Sequence, residues 1–233
     1  MNIGLNLRLA QPRSGAGQSN ASHSYDMALP ANYVDVGGKV ATLFDLSAIP
    51  SAADFTQTTV ALRPAIVAGA MQLNASEYLK DTGMGPLVQS NNFEINIRFQ
   101  LTTMGNNGFF GASPTSGNGR LEMYIDPVGR LRLRAVSTAN ASVSASASNS
   151  FSMTTGGAKF ATAAWYTIRL IFHDNVLDYW ANGLPVASNV AFDMSAQDAV
   201  YGATILGGRA AAGNGNIPMD GLISSFSLSE YVP

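Results

Sequence analysis

Apolar residues in this chain recur mainly with a period of two. Residues 93–101 read F-E-I-N-I-R-F-Q-L, with an apolar side chain at every odd position. Such alternation predicts a strand with one buried and one polar face, as in an antiparallel sheet. Residues 120–126 (R-L-E-M-Y-I-D) and 130–136 (R-L-R-L-R-A-V) repeat the pattern on either side of Asp126-Pro127-Val128-Gly129. Proline suits the first central position of a turn and glycine tolerates positive φ, so a hairpin is expected here. Pairing Asp126 with Arg130 sets Ile125 opposite Leu131, Met123 opposite Leu133 and Leu121 opposite Ala135. The other face then sets Tyr124 against Arg132 and Glu122 against Arg134. A slip of one residue would mix the two faces, so this register is strongly specified.

The rest of the chain continues in the same manner. Residues 165–173 (W-Y-T-I-R-L-I-F-H) are apolar on both sides, Asp174-Asn175 makes a turn, and 176–181 returns. Asn182-Gly183 is a strong hairpin signal leading into 184–187, and 201–207 and 221–231 supply the final strands. Phe109 and Phe110 open a short strand between the glycine-rich loops 102–108 and 111–119. Residues 135–158 are a Ser/Ala/Thr stretch whose alternation allows one more strand. Helical periodicity is absent apart from one short turn at 196–200. Short strands separated by Gly/Asn turns predict an all-β, antiparallel two-sheet jelly-roll sandwich.

Residues 1–9 (M-N-I-G-L-N-L-R-L) also alternate and read as a strand, not as a signal peptide, because no basic segment or continuous apolar run is present. Residues 11–20 have linker composition, so 1–25 read as an extended arm and 26–233 as a single domain. A lone amphipathic strand is not stable by itself. The arm therefore either joins the domain's own sheet or completes the sheet of another subunit by strand addition.

Composition narrows the function classes. The 233 residues carry a net charge of −2, no cysteine and only 12% charged residues, roughly half the usual proportion of about 25%. The lack of cysteine removes disulfides, thiolate metal sites and cysteine nucleophiles. A near-neutral chain does not suit nucleic-acid binding through a basic surface. No apolar run approaches the roughly 18 residues of a membrane helix, so membrane insertion is not expected.

The candidate chemistry is sparse. Glu122 and Asp126 lie four apart on one strand face, yet the register gives each an arginine, so they read as surface ion pairs and poor acid catalysts. His23 and His173 are the only histidines, and both are expected to be exposed. No nucleophile elbow, phosphate loop or dinucleotide fingerprint occurs, so no catalytic residue and no cofactor is assigned.

Four stretches in order carry a family resemblance. They are Trp165 opening a strand, Trp180-Ala181-Asn182-Gly183, Leu206-Gly207-Gly208, and Met219-Asp220-Gly221-Leu222-Ile223. From about Met71 onward the chain resembles the laminin-G-like branch of the concanavalin A-like lectin/glucanase superfamily. The resemblance implies a jelly roll. It does not extend to the Glu-x-Asp-x-x-Glu strand of that superfamily's glucanases, because none of Glu77, Glu94, Glu122 and Glu230 begins such a motif. Family members often hold calcium at a loop rim; Asp174, Asp178 and Asp220 lie near turns here, but they read equally as turn aspartates, and no metal is assigned.

For a glycan ligand the candidates are Trp180, Tyr124, Arg132 and Arg98, with loops 105–108, 111–119 and 207–216 as a rim. The competing reading makes Trp165 and Trp180 core or hairpin packing residues and has Tyr124 and Arg132 pack on each other. The expectation is a non-catalytic, lectin-like accessory structural protein of a virion, a bacteriophage capsid or tail decoration made in the host cytoplasm. Residues 1–25 would anchor it to other virion subunits, homo-oligomers included, and it would touch host-surface polysaccharide. The alternatives are a soluble carbohydrate-binding module, and a polysaccharide hydrolase or lyase whose site is unrecognised.

Overall fold

A computed structural model describes residues 18–47, 54–74, 76–90, 92–114, 119–137, 142–145, 160–192, 194, 201–211, 214–216 and 218–232. The expected strand at 1–9 and the short turn at 196–200 lie outside these residues. In chain order the first strands are β1 (Gln18–Asp26), β2 (Tyr33–Asp35), β3 (Val40–Leu43), β4 (Phe55–Thr56), β5 (Ala65–Val67), β6 (Ala70–Leu73) and β7 (Leu79–Asp81). A helix of five residues, α1 (Gly85–Gln89), precedes β8 (Phe93–Leu101) and β9 (Asn107–Ser113). Then come β10 (Arg120–Ile125), β11 (Leu131–Val136), β12 (Ser142–Ala145), β13 (Trp165–His173), β14 (Val176–Ala181) and β15 (Leu184–Ala191). The last are β16 (Ala203–Leu206), β17 (Arg209–Ala211), β18 (Asn214–Asn216) and β19 (Gly221–Val232).

Two antiparallel sheets form the sandwich. The first runs β15-β14-β13-β8-β19-β6-β5, with β1 also paired to β19; the second runs β12-β11-β10-β9-β16-β7-β4-β3-β2. Alternation dictates which side chains meet between them. Phe93, Ile95, Ile97, Phe99 and Leu101 of β8 face inward, as do Leu121, Met123 and Ile125 of β10. Aromatic rings join the layers: Phe99 stacks on Phe109 with centroids 5.8 Å apart, and Phe110 on Phe226 at 5.2 Å.

The hairpin β10–β11 has the expected register, with Leu121 opposite Ala135, Glu122 opposite Arg134, Met123 opposite Leu133, Tyr124 opposite Arg132 and Ile125 opposite Leu131. The two other expected turns also form. Asp174 and Asn175 have φ of +47° and +60°, and Asn182 and Gly183 have +50° and +79°. A two-residue hairpin that follows the strand twist needs these left-handed values, which Asn, Asp and Gly tolerate best.

Residues 18–25, the end of the segment read as an arm, form most of β1 and join the domain's own sheet, one of the two expected placements: β1 pairs with β19 from Gln18–Val232 to Asp26–Ser225. Tyr25 is buried and packs on Phe55 at 4.9 Å and on Phe226 at 5.9 Å. His23, expected to be exposed, is also buried, with Nδ1 2.6 Å from the Asp45 carboxylate. Burial pushes the Asp45 carboxyl up, but the bonds from His23 and from the Ser47 and Ser24 backbones outweigh it and hold it below the usual range. A strand with little apolar surface is thus fixed by its ladder, one tyrosine and one buried hydrogen bond between His23 and Asp45.

Candidate site on the outer face of the first sheet

Inward residues of β13 are Tyr166, Ile168, Leu170 and Phe172, so Trp165, Thr167 and Arg169 fall on the outer face. Counting back from the Asp174-Asn175 turn sets Arg169 opposite Trp180, and β8 brings Asn96 to the other side of Arg169. The guanidinium of Arg169 lies 4.8 Å from the Trp180 ring centroid. Its Nε and Nη2 donate to the two oxygens of Glu94 at 2.9 and 2.8 Å. This clasp lifts the Arg169 pKa further, chiefly through the Glu94 bonds. It leaves Glu94 buried under Arg169, with Asn96 Nδ2 also donating to Oε1 at 2.7 Å.

A second stack lies along the same face. Arg98 covers the Trp165 ring at 4.3 Å and donates from Nη1 to the Ser224 hydroxyl at 3.0 Å. Trp165 is four residues along β13 from Arg169, which at about 3.3 Å per residue is about 13 Å. Both indoles are half-buried on the outer face. They are therefore not core residues: each packs a guanidinium and keeps part of its ring in water.

Beside Trp165 the surface sinks into a cleft of about 470 Å³, lined by Asp26, Arg98, Trp165, Ser224, Ser225 and the turn 68–70. The turn is tight, with Ala68 at φ +51° and Gly69 at φ +76°. The lining offers an aromatic face, a guanidinium, a carboxylate and two hydroxyls, a set able to stack on a sugar ring and bond its hydroxyls. Asp26, Ser224 and Ser225 carry no signal in a one-dimensional reading, because β1 and the bulge in β19 bring them together.

The four residues expected to contact a glycan do not form one site. Arg98 and Trp180 lie on the outer face of the first sheet, and Tyr124 and Arg132 on the outer face of the second. The polar face of β10–β11 also departs from the expected surface ion pairs. Glu122 and Asp126 are buried, at 1% and 5% exposure. Asp126 accepts from Arg130 Nε at 2.7 Å, Arg132 Nε at 2.9 Å, and the backbone N–H groups of Val128 and Arg130 at 3.1 and 3.0 Å. Burial raises its pKa, but these donors win and hold the carboxyl below the usual range. Glu122 accepts from Arg120 Nε at 2.5 Å. Gly111 and Gly108 stand opposite Glu122 and Tyr124 on β9.

His173 is not exposed either. Its Nε2 lies 3.0 Å from Asp178, its Nδ1 3.4 Å from Asp174, and its ring 5.1 Å from that of Tyr231. Burial lowers its pKa, yet the two carboxylates prevail and raise it above the ordinary value. Asp220 is distant in the fold, bonded to the Thr103 hydroxyl at 2.6 Å. The three aspartates considered for calcium thus act as hairpin and loop acceptors. No cluster of three or more metal-ligating side chains occurs among the described residues. Loop 105–108 is tied down: Asn107 is buried and bonds Thr103, Gly105 and Asp220. Within the other loops offered as a rim, 209–211 and 214–216 form the β17–β18 hairpin, and residues 115–118 lie outside those described. No helix among the described residues is long and apolar enough to cross a membrane.

No family model matches the sequence, and neither does any curated protein. Solved structures do match the fold. A Trypanosoma rangeli sialidase in complex with 2,3-difluoro-KDN aligns with a TM-score of 0.56 at 14% identity, over 89% of this chain and 30% of that one. The CBM40 of the Ruminococcus gnavus IT-sialidase, bound to α2,3-sialyllactose, aligns with a TM-score of 0.51 at 13% identity, over 68% of this chain and 88% of that one. The chain spans about a third or less of the sialidase chains it matches, 25% and 30%. At these identities the likeness is one of fold: the chain is an antiparallel two-sheet β-sandwich.

Proposed function

We propose that this β-sandwich is a non-catalytic carbohydrate-binding protein that takes a glycan on the outer face of its first sheet. The observation that carries the reading is the cleft beside Trp165, where an indole braced by Arg98 meets Asp26, Ser224 and Ser225. The second stack, Arg169 on Trp180, extends the same face and suits a ligand longer than one sugar. The CBM40 of similar fold is recorded with a bound sialyllactose, which supports a glycan as the ligand class here. The laminin-G-like pattern of Trp165, Asn182-Gly183 and Gly221 supports the same reading. Catalysis is not part of it: Glu94, Glu122 and Asp126 are each committed to arginine, and Glu77 to Lys39.

A glycan array followed by calorimetry tests the site. Trp165→Ala and Arg98→Ala are each expected to weaken the bound glycan about tenfold, the loss of one stacking or charged contact. An array without hits, or unchanged binding in both variants, overturns the assignment. We place the protein on a virus particle, as a bacteriophage capsid or tail decoration. Support comes from the sequence: an arm with a period-two segment at 1–9, one jelly roll, and Ser-, Gly- and Asn-rich loops. Mass spectrometry of the native source is expected to find the chain in purified particles; finding it only as free monomer overturns that placement.

A further inference from the structure

We infer that the outer face of the hairpin β10–β11 is a second binding surface, built for the carboxylates of an acidic glycan. The inference rests on the glycan reading above for the class of ligand only; the surface lies on the opposite sheet and shares no residue with the Trp165 cleft. Four guanidiniums, from Arg120, Arg130, Arg132 and Arg134, stand over two carboxylates on this face. The chain as a whole carries a net charge of −2, so this cationic excess is local.

The two carboxylates lie below the arginines. Asp126 and Glu122 are buried, whereas the side chains of Arg130 and Arg134 are 34% and 38% exposed. Asp126 holds both Arg130 and Arg132 through Nε, so the Nη end of neither fork is spent on that carboxylate. The acid therefore acts as an orienting group under the cations. It fixes the planes of two forks whose terminal N–H pairs match a carboxylate in bidentate fashion. Arg130, Arg132 and Arg134 alternate along β11, so their roots are spaced by about 6.7 Å on one face. A ligand with charges repeated along a chain can engage more than one of them. Tyr124, opposite Arg132, adds an aromatic edge to the row. Its place between arginines suits a sugar acid better than a bare inorganic anion.

The test uses the full chain and a pectin-derived oligogalacturonate, compared with the same oligomer as its methyl ester. The backbone is unchanged and only the charge is removed. The acid form is expected to bind about tenfold or more tightly than the ester, and to weaken as salt is raised. Arg130→Gln and Arg134→Gln are expected to weaken the acid form about tenfold each, a larger loss than Trp165→Ala produces. Thermal melts of each variant separate lost binding from lost fold, and the double variant Arg130→Lys/Arg134→Lys keeps the charge but removes the fork. Retained binding in that lysine variant overturns the bidentate geometry. Equal binding of acid and ester, or loss in Trp165→Ala alone, overturns the second surface and leaves the Trp165 cleft standing. Equally tight binding of a short DNA duplex overturns the glycan assignment.

Discussion

Replacing Asp126 should be among the most damaging single changes on the polar surface of the second sheet. In Asp126→Ala the turn loses two backbone bonds, to Val128 and Arg130, and two arginines lose their common acceptor. Each backbone bond contributes about 1 kcal/mol. Removing one partner of a buried ion pair costs about 3–5 kcal/mol. The lower end applies here, because Arg130 is a third exposed and can turn to water, whereas Arg132 is only 16% exposed. With the two backbone bonds added, the expected loss is therefore about 5 kcal/mol by urea denaturation. Asp126→Asn keeps an oxygen for the backbone donors and should lose about half as much. The folded pKa of Asp126 lies below its unfolded value, so its contribution is full above the unfolded value and fades as pH falls through the folded one. The difference between wild type and Asp126→Asn should shrink at acid pH accordingly. A loss below about 1 kcal/mol at pH 7, or a difference that does not change with pH, would refute the idea that a buried acid organises this hairpin.

Other outcomes follow from close approaches and titrating groups. A Cβ on Gly221 would lie 2.2 Å from the Gln100 carbonyl oxygen, a backbone atom in the neighbouring strand. Gly221→Ala should cost more than about 2 kcal/mol in denaturant, in the range of overpacked cores. His173 has a raised pKa, so its pairing with Asp178 and Asp174 stabilises fully below about pH 6.5 and is lost as pH rises through the folded value. After solvent screening the effect should be about 0.5 kcal/mol, visible as an upshifted imidazole titration by NMR and absent in His173→Gln.

What could be read in the sequence depended on how much each segment's own pattern constrained it. The β10–β11 register was legible because apolar and charged residues alternate on both strands around a turn with one favoured geometry. The same logic located the Asn182-Gly183 turn, and β8 to the residue. The strand β1 was hidden for the opposite reason. Its sequence, Q-S-N-A-S-H-S-Y-D, resembles a linker, and its partner β19 is serine-rich where they meet, with Ser24 opposite Ser227 and Asp26 opposite Ser225. The stabilisation comes from ladder bonds and from Tyr25, and a one-dimensional pattern registers neither. The short strands β3, β4 and β5 were hidden by length, two to four residues each. Burial of Glu122 and Asp126 was not legible because it depends on arginine side chains folding back over both carboxylates, which strand pairing alone does not specify. The residues around Trp165 were partly legible: Arg98 and Trp180 have the right chemistry, but only tertiary pairing assigns each its partner.

The strand β19 has a bearing on how the molecule comes into being. It follows the other described strands in chain order, yet it sits inside the first sheet, with β8 on one side and both β6 and β1 on the other. As a ribosome releases the chain, β1 and β8 wait for a common neighbour that is made later than either. Until it emerges, β8 shows water one open edge, and the core beneath lacks Phe226 and Leu228. Synthesis, not equilibrium stability, is therefore the stage at which this fold is most open to misassembly. A chain that ends before Gly221 should yield aggregate and not a smaller domain.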